Sequence, residues 1–145
     1  LREAGLVVWL PFVLLAAVAV GLALAPTHLT SLLAGYLFGL PSGLAAALAA
    51  VAVGTGIGSA AARRLAPDQA RTLLQETRWG RVLLAEMIDA SPWKATCTIA
   101  LARLPPQIPF AVGNLLSVSA GVRFLPLLAG TLIGMLPRVT LVAIV

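Results

Sequence analysis

Arg103 is the residue whose type and setting call for chemistry. It lies between apolar runs, directly before Leu104-Pro105-Pro106-Gln107-Ile108-Pro109-Phe110. A cation at the centre of a membrane helix costs about 2.5–3.5 kcal/mol even on permissive insertion scales. A chain keeps one where it faces a water-filled cavity, a partner or an anion. The acids are Glu3, Asp68, Glu76, Glu86 and Asp89, and none falls inside an apolar span. Arg103 is therefore expected to lack a buried carboxylate partner. Its planar fork suits bidentate capture of a phosphate. The competing reading is that it binds carbonyls freed by Pro105, Pro106 and Pro109, or snorkels to an interface.

Gln107 and Asn114 are polar groups at the same break, and buried polar groups need partners. They either bridge to the other half of the chain or contact a headgroup. Arg138 follows Pro137 inside the last apolar run and offers a second cation near a cavity, or reaches the surface. The expected binding set is thus Arg103, Gln107, Asn114, Arg138 and Tyr36, the last because a sequence repeat sets it opposite Asn114. His28 stands alone in a loop and reads as a helix-entry or interfacial residue. With one His, one Cys and no acid in the spans, nothing suggests hydrolytic or redox catalysis. The expectation is a non-enzyme with no cofactor and no metal.

The elements that must hold these residues are membrane helices. Hydrophobic residues make up 60% of the 145-residue chain and charged ones 10%, with a mean hydropathy of +1.01. Soluble domains are about 45–50% apolar and about 25% charged. The formal charge of +5 fits positive-inside loops and anionic lipid rather than nucleic acid. Lone Cys97 can form no internal disulfide. Trp9, Trp79 and Trp93 lie near the edges of apolar runs, where interfacial belts form. The chain starts at Leu1 and stops at Val145 inside an apolar run, so residues 1–145 read as one membrane domain, a fragment.

A repeat organises the chain. Gly35-Tyr36-Leu37-Phe38-Gly39-Leu40-Pro41-Ser42-Gly43 recurs in outline as Gly113-Asn114-Leu115-Leu116-Ser117-Val118-Ser119-Ala120-Gly121. Each copy precedes a Gly-Thr-x-Ile-Gly, at Gly54 to Gly58 and at Gly130 to Gly134. Such Gly/Pro-interrupted, duplicated hydrophobic units point to a substrate site between repeats. Residues 5–25 are long enough for a transmembrane helix, at about 1.5 Å per residue, and too long for a signal h-region. Residues 27–65 predict a short arm, a break at 39–43 and a longer helix. Residues 67–91 predict an amphipathic connecting helix. Arg63, Arg64, Arg71, Arg78, Arg81 and Lys94 flank or lie on it, placing residues 63–94 in the cytoplasm by the positive-inside rule. Residues 95–145 repeat the plan of short arm, proline-rich break and span. The fold class expected is all-α integral membrane, with two opposed re-entrant helical hairpins as an inverted repeat. Gly35, Gly39, Gly43, Gly54, Gly58, Pro105, Pro109, Gly130, Gly134 and Pro137 are its expected structural residues.

The Gly35–Gly43 stretch, Gly54 and Gly58 with Arg63, the run Arg103 to Phe110 with Asn114, and Gly130, Gly134 and Pro137 together carry a resemblance. The chain resembles the VTT-domain proteins, also called SNARE-associated Golgi proteins, of the DedA superfamily, and looks most like the Tvp-like bacterial branch. The resemblance implies two opposed re-entrant hairpins flanked by membrane helices, in a bacterial plasma (inner) membrane. It implies lipid movement between leaflets: scrambling of phospholipids in some members, recycling of polyprenyl-phosphate carriers in others. The partners implied are anionic lipid headgroups; self-assembly into a homo-oligomer is compatible with it. The family's arginine before the proline-rich tip maps onto Arg103. The chain departs from the branch that carries intramembrane acids for proton coupling, since its spans hold none. A transporter of small solutes or oxyanions and a structural scaffold are the alternatives.

Overall fold

The computed structural model describes residues 2–65, 91–105 and 109–144, with Asp68, Thr72, Gln75, Glu76, Arg78, Arg81, Val82 and Ala85 between them. Most of the expected connecting helix over 67–91 lies outside the described residues, as does Trp79. The described elements are all helical: α1 (Arg2–Gly21), α2 (Thr27–Leu65), α3 (Pro92–Arg103), α4 (Phe110–Ser119) and α5 (Phe124–Ile144). By length and composition, two of them, α2 and α5, can cross a membrane.

One residue divides α2. Gly39 has φ 72° and ψ 171°, outside the helical region, a conformation open essentially to glycine alone. The two pieces, 27–38 and 40–65, do not run on in line. In a straight helix residues 34 and 43 would stand about 13 Å apart along the axis. Here a Cβ built on Gly43 would fall 2.5 Å from the Ala34 carbonyl oxygen and 2.8 Å from Gly35 Cα. The chain therefore folds back at Gly39, and Gly35 and Gly43 lack side chains where the two arms touch. The expected break at 39–43 thus narrows to a single residue. Pro41 falls in the first turn after it, where a missing N–H costs nothing. Trp9 of α1 donates from Nε1 to the Ser42 carbonyl at 3.2 Å, so this indole ties α1 to that turn.

Backbone-to-backbone contact through small residues holds the bundle. α2 packs on α1, α4 and α5, and α3 packs on α5. A Cβ on Gly54 would lie 3.1 Å from the Ala17 carbonyl oxygen of α1, and one on Gly130 would lie 2.6 Å from the Thr96 oxygen of α3. Gly134 meets the Ala100 carbonyl in the same way. Helices in lipid gain nothing from hiding apolar surface from one another, so close packing through small residues takes over that role. The core between α1, α2 and α5 is Val13, Ala34, Ala46, Ala47, Val51, Met135 and Val139, with Phe12 and Phe38 edge to face at 5.3 Å. A second cluster of Ala95, Ile99, Ala120, Val122 and Leu127 joins α3 to α5.

Six described hydroxyls inside the bundle turn back onto their own helices, while buried Ser119 and Thr131 have no partner among the described residues. Thr30, Ser31, Thr55, Ser59, Thr96 and Ser117 each donate to a carbonyl three or four residues earlier. The outer surface is the reverse of a soluble protein's. Val7, Leu15, Leu37, Leu125, Ile133 and Leu141 are among many large apolar residues left exposed, a belt that water would not tolerate at this extent.

The second half is built from α3, a turn and α4, then a reversal and α5. Ser91 caps α3, its hydroxyl accepting from the Lys94 amide with Pro92 at the helix start, the usual capping arrangement. Gly121, at φ 80°, ends the α4 arm. The sequence alignment pairs Gly39 with Ser117, four residues before Gly121. Short helix, glycine and long helix recur in both halves, out of register with the aligned motifs.

Candidate functional site

Arg103 is the last residue of α3 and is only 7% exposed. Its guanidinium crosses the break to α4. Nη1 donates to the Phe110 carbonyl at 3.1 Å, and Nη2 donates to Asn114 Oδ1 at 2.6 Å. The guanidinium carbon lies 5.0 Å from the centre of the Phe110 ring, within cation–π range. Both acceptors are neutral, in keeping with the absence of acids from the spans. Gly113 makes room for this arrangement: a Cβ there would meet Nη1 at 2.5 Å.

Asn114 is fully buried, and its orientation follows from Arg103. A guanidinium only donates, so the Asn114 oxygen must face it. Nδ2 then points the other way, toward Gly58 of α2, where a Cβ would lie 2.7 Å from it and 3.0 Å from the Gly21 carbonyl oxygen. Nδ2 has no hydrogen-bond partner among the described residues. Arg103 and Asn114 thus form a sealed joint between α3, α4 and α2. Of the two readings open from sequence, the geometry favours binding to protein acceptors over an open phosphate clamp.

A separate opening lies on the other side of Phe110. A cleft of about 340 Å³ is lined by Val20, Ala23, Ala25, Pro26, Thr27, His28, Pro109, Phe110, Ala111 and Arg138. Its walls are the α1–α2 corner, the first turn of α4 and Arg138 of α5. Among the described residues no carboxylate lines it.

A family model described as the VTT domain matches residues 25–145. That match covers far more than half of the chain. The chain belongs to the VTT-domain family. No curated protein and no solved structure matches it. Among the described residues this VTT domain is all-helical, with two helices long and apolar enough to cross a membrane.

The five expected binding residues separate within the VTT domain. Arg103 and Asn114 are joined directly. Arg138 is half-buried in the cleft and shares only Phe110 with that pair. Tyr36 is 86% exposed and takes no part in either group; its position in the alignment does not carry over to space, because α2 and α4 break in different registers. Gln107 lies outside the described residues. Asn114 bonds Arg103 through Oδ1 and sets Nδ2 against Gly58 of α2 in the first half. Pro105 is exposed at the turn, Pro109 precedes the first residue of α4, and Pro137 faces outward from α5.

His28, Thr27 and Ala111 were not among the expected binding residues, and the fold brings them to the cleft. A signal for them was present. Pro26-Thr27-His28 and Pro109-Phe110-Ala111 both set a proline directly before a helix start, once in each half.

Proposed function

We propose that this VTT-domain protein gives an anionic lipid headgroup a path between leaflets, while the acyl chains stay in the bilayer. The observation that carries the reading is the pair of broken helices. Glycine reversals at Gly39 and Gly121 interrupt apolar helices in a membrane protein. Backbone irregularity at membrane depth is tolerated only where protein buries it or where it borders a polar cavity. Neither glycine lines the cleft; two other non-helical stretches, the α1–α2 corner and the lead-in to α4, border it instead.

In this reading the arms 27–38 and 110–119 are re-entrant halves that turn back before crossing, opposed as an inverted pair. The small-residue contacts let the halves pack closely. The protein sits in a bacterial plasma membrane with residues 63–94 in the cytoplasm. It moves its substrate without forming or breaking a covalent bond, and no cofactor takes part.

The experiment is reconstitution of the full chain into liposomes carrying fluorescent lipid in both leaflets. Dithionite quenching well beyond the outer-leaflet half is the expected result. Quenching that stops at half refutes lipid movement. Flux of phosphate into such vesicles without lipid exchange would instead assign the path to a free oxyanion.

A further inference from the structure

We infer that the Asn114 amide is a strap between the two halves of the chain. In a tighter state of the bundle its Nδ2 donates to the Gly21 carbonyl of α1, and the cleft narrows as it does so. This goes beyond the proposed function: that reading supplies a use for the cleft, and the strap sets its width whether or not a lipid passes.

A donor and an acceptor, both unsatisfied, face one small space. Asn114 is fully buried, and Nδ2 has no partner among the described residues. Gly21 is the last residue of α1 and is buried. The amides in line for its carbonyl are those of Leu24 and Ala25, and both donate to Ala19 instead, while Ala23 donates to Val20. Among the described residues no backbone amide bonds the Gly21 oxygen. A Cβ on Gly58 would stand 2.7 Å from Nδ2 and 3.0 Å from that oxygen, so both groups border the space that the missing side chain leaves. Each lacks what the other offers, and buried polar groups without partners are costly. The carbonyl also lies at the negative end of α1, which improves it as an acceptor.

The rest of the joint aims the strap. Arg103 only donates, so it holds the Asn114 oxygen and leaves Nδ2 turned toward Gly58 and the end of α1. The two bonds use different atoms of one amide, so closure leaves the bond to Arg103 in place. Trp9 ties the other end of α1 to the Ser42 carbonyl, and closure at Gly21 pins both ends of this helix. The cleft follows. Val20 and Ala23 stand beside Gly21, Phe110 and Ala111 lie one turn before Asn114, and all four line the cleft. Drawing Gly21 toward Asn114 brings these walls together. Shifts of about 1–2 Å at helix interfaces are the usual scale of such switches.

The test uses the full chain in phosphatidylcholine nanodiscs, carrying C97A and the pair A23C and A111C across the cleft. The rate of disulfide formation with copper phenanthroline reads the closed state. G58A fills the space between the two groups. N114D keeps an oxygen for Arg103 but turns a second one toward the Gly21 carbonyl, which repels it. N114D adds no volume, so it carries the test should G58A fail to assemble. One neutral hydrogen bond is worth about fivefold in an equilibrium, so crosslinking should slow about fivefold in each variant. Asn114 is the chain's one asparagine, so selective ¹⁵N-asparagine labelling reads its amide alone. One Nδ2 proton is expected downfield of its position in G58A. Crosslinking at one rate in all three proteins, or an Nδ2 proton that G58A does not move, overturns the strap. Dithionite quenching is run on the same proteins. Failed quenching in every protein, with crosslinking still dependent on Asn114, removes the proposed lipid movement and leaves the strap standing.

Discussion

Replacing Arg103 by Met and Asn114 by Leu, singly and together, tests the joint at the centre of the second half. Arg103→Met leaves Asn114 Oδ1 without its partner beside an Nδ2 that already lacks one. An unsatisfied buried polar group costs about 1–3 kcal/mol. The lost cation–π contact adds about 0.5–1 kcal/mol, and release of a buried charge offsets part of both. A net loss of about 2 kcal/mol is expected. Asn114→Leu strips a charge-assisted bond worth about 1.5–3 kcal/mol, but also removes the unpartnered Nδ2. Its net loss is smaller, about 1–2 kcal/mol. The double variant leaves neither polar group stranded, and replacing both partners by apolar groups can be nearly neutral. It should therefore be more stable than the sum of the singles by about 2 kcal/mol. Unfolding of the detergent-solubilised protein, followed by circular dichroism across a denaturing-detergent titration, gives the three values. Additivity within about 0.5 kcal/mol, the behaviour of independent sites, would refute a direct bond and with it the sealed joint.

Three glycine substitutions probe the packing. Gly39→Ala forces a side chain into a positive-φ conformation with nothing crowding it, so it should cost about 1–3 kcal/mol through backbone strain alone, read as a lower midpoint in the same titration. Gly43→Ala has no unusual φ but drives a methyl to 2.5 Å from the Ala34 carbonyl oxygen. Overpacking of about 1–3 kcal/mol is expected, together with faster hydrogen exchange in the 27–38 arm. Gly58→Ala pushes on the Asn114 amide at 2.7 Å and should lower the Arg103–Asn114 coupling energy as well as stability; an unchanged coupling would show that the amide moves away freely.

Much of this was legible in the residues, for reasons that can be stated. The all-helical membrane character followed from composition, because no soluble domain could hide so much apolar surface. The glycines of the Gly-Thr-x-Ile-Gly motifs announced close helix contact, and Gly54, Gly58, Gly130 and Gly134 all make it. The acid count already said that Arg103 would find no buried carboxylate, and left a phosphate and backbone carbonyls open as its partners. What stayed hidden was distance. Asn114 is eleven residues from Arg103, and only the turn between α3 and α4 decides that the two meet. Arg138 and His28 are far apart in the chain, and no pattern in either segment says that one cleft collects both. Tyr36 stands apart from both groups, because α2 and α4 break in different registers of the aligned motifs.

The inward-bonded hydroxyls have one further consequence. Relaying a proton along a file of hydroxyls requires each to give up its hydrogen to the next while accepting another. Thr30, Ser31, Thr55, Ser59, Thr96 and Ser117 have each committed that hydrogen to a carbonyl of their own helix. Rotating any of them free would strand a buried carbonyl lone pair and a donor at once. These six hydroxyls are therefore closed to hydrogen-ion hopping, whereas buried Ser119 and Thr131, which have no partner among the described residues, keep a hydrogen to give.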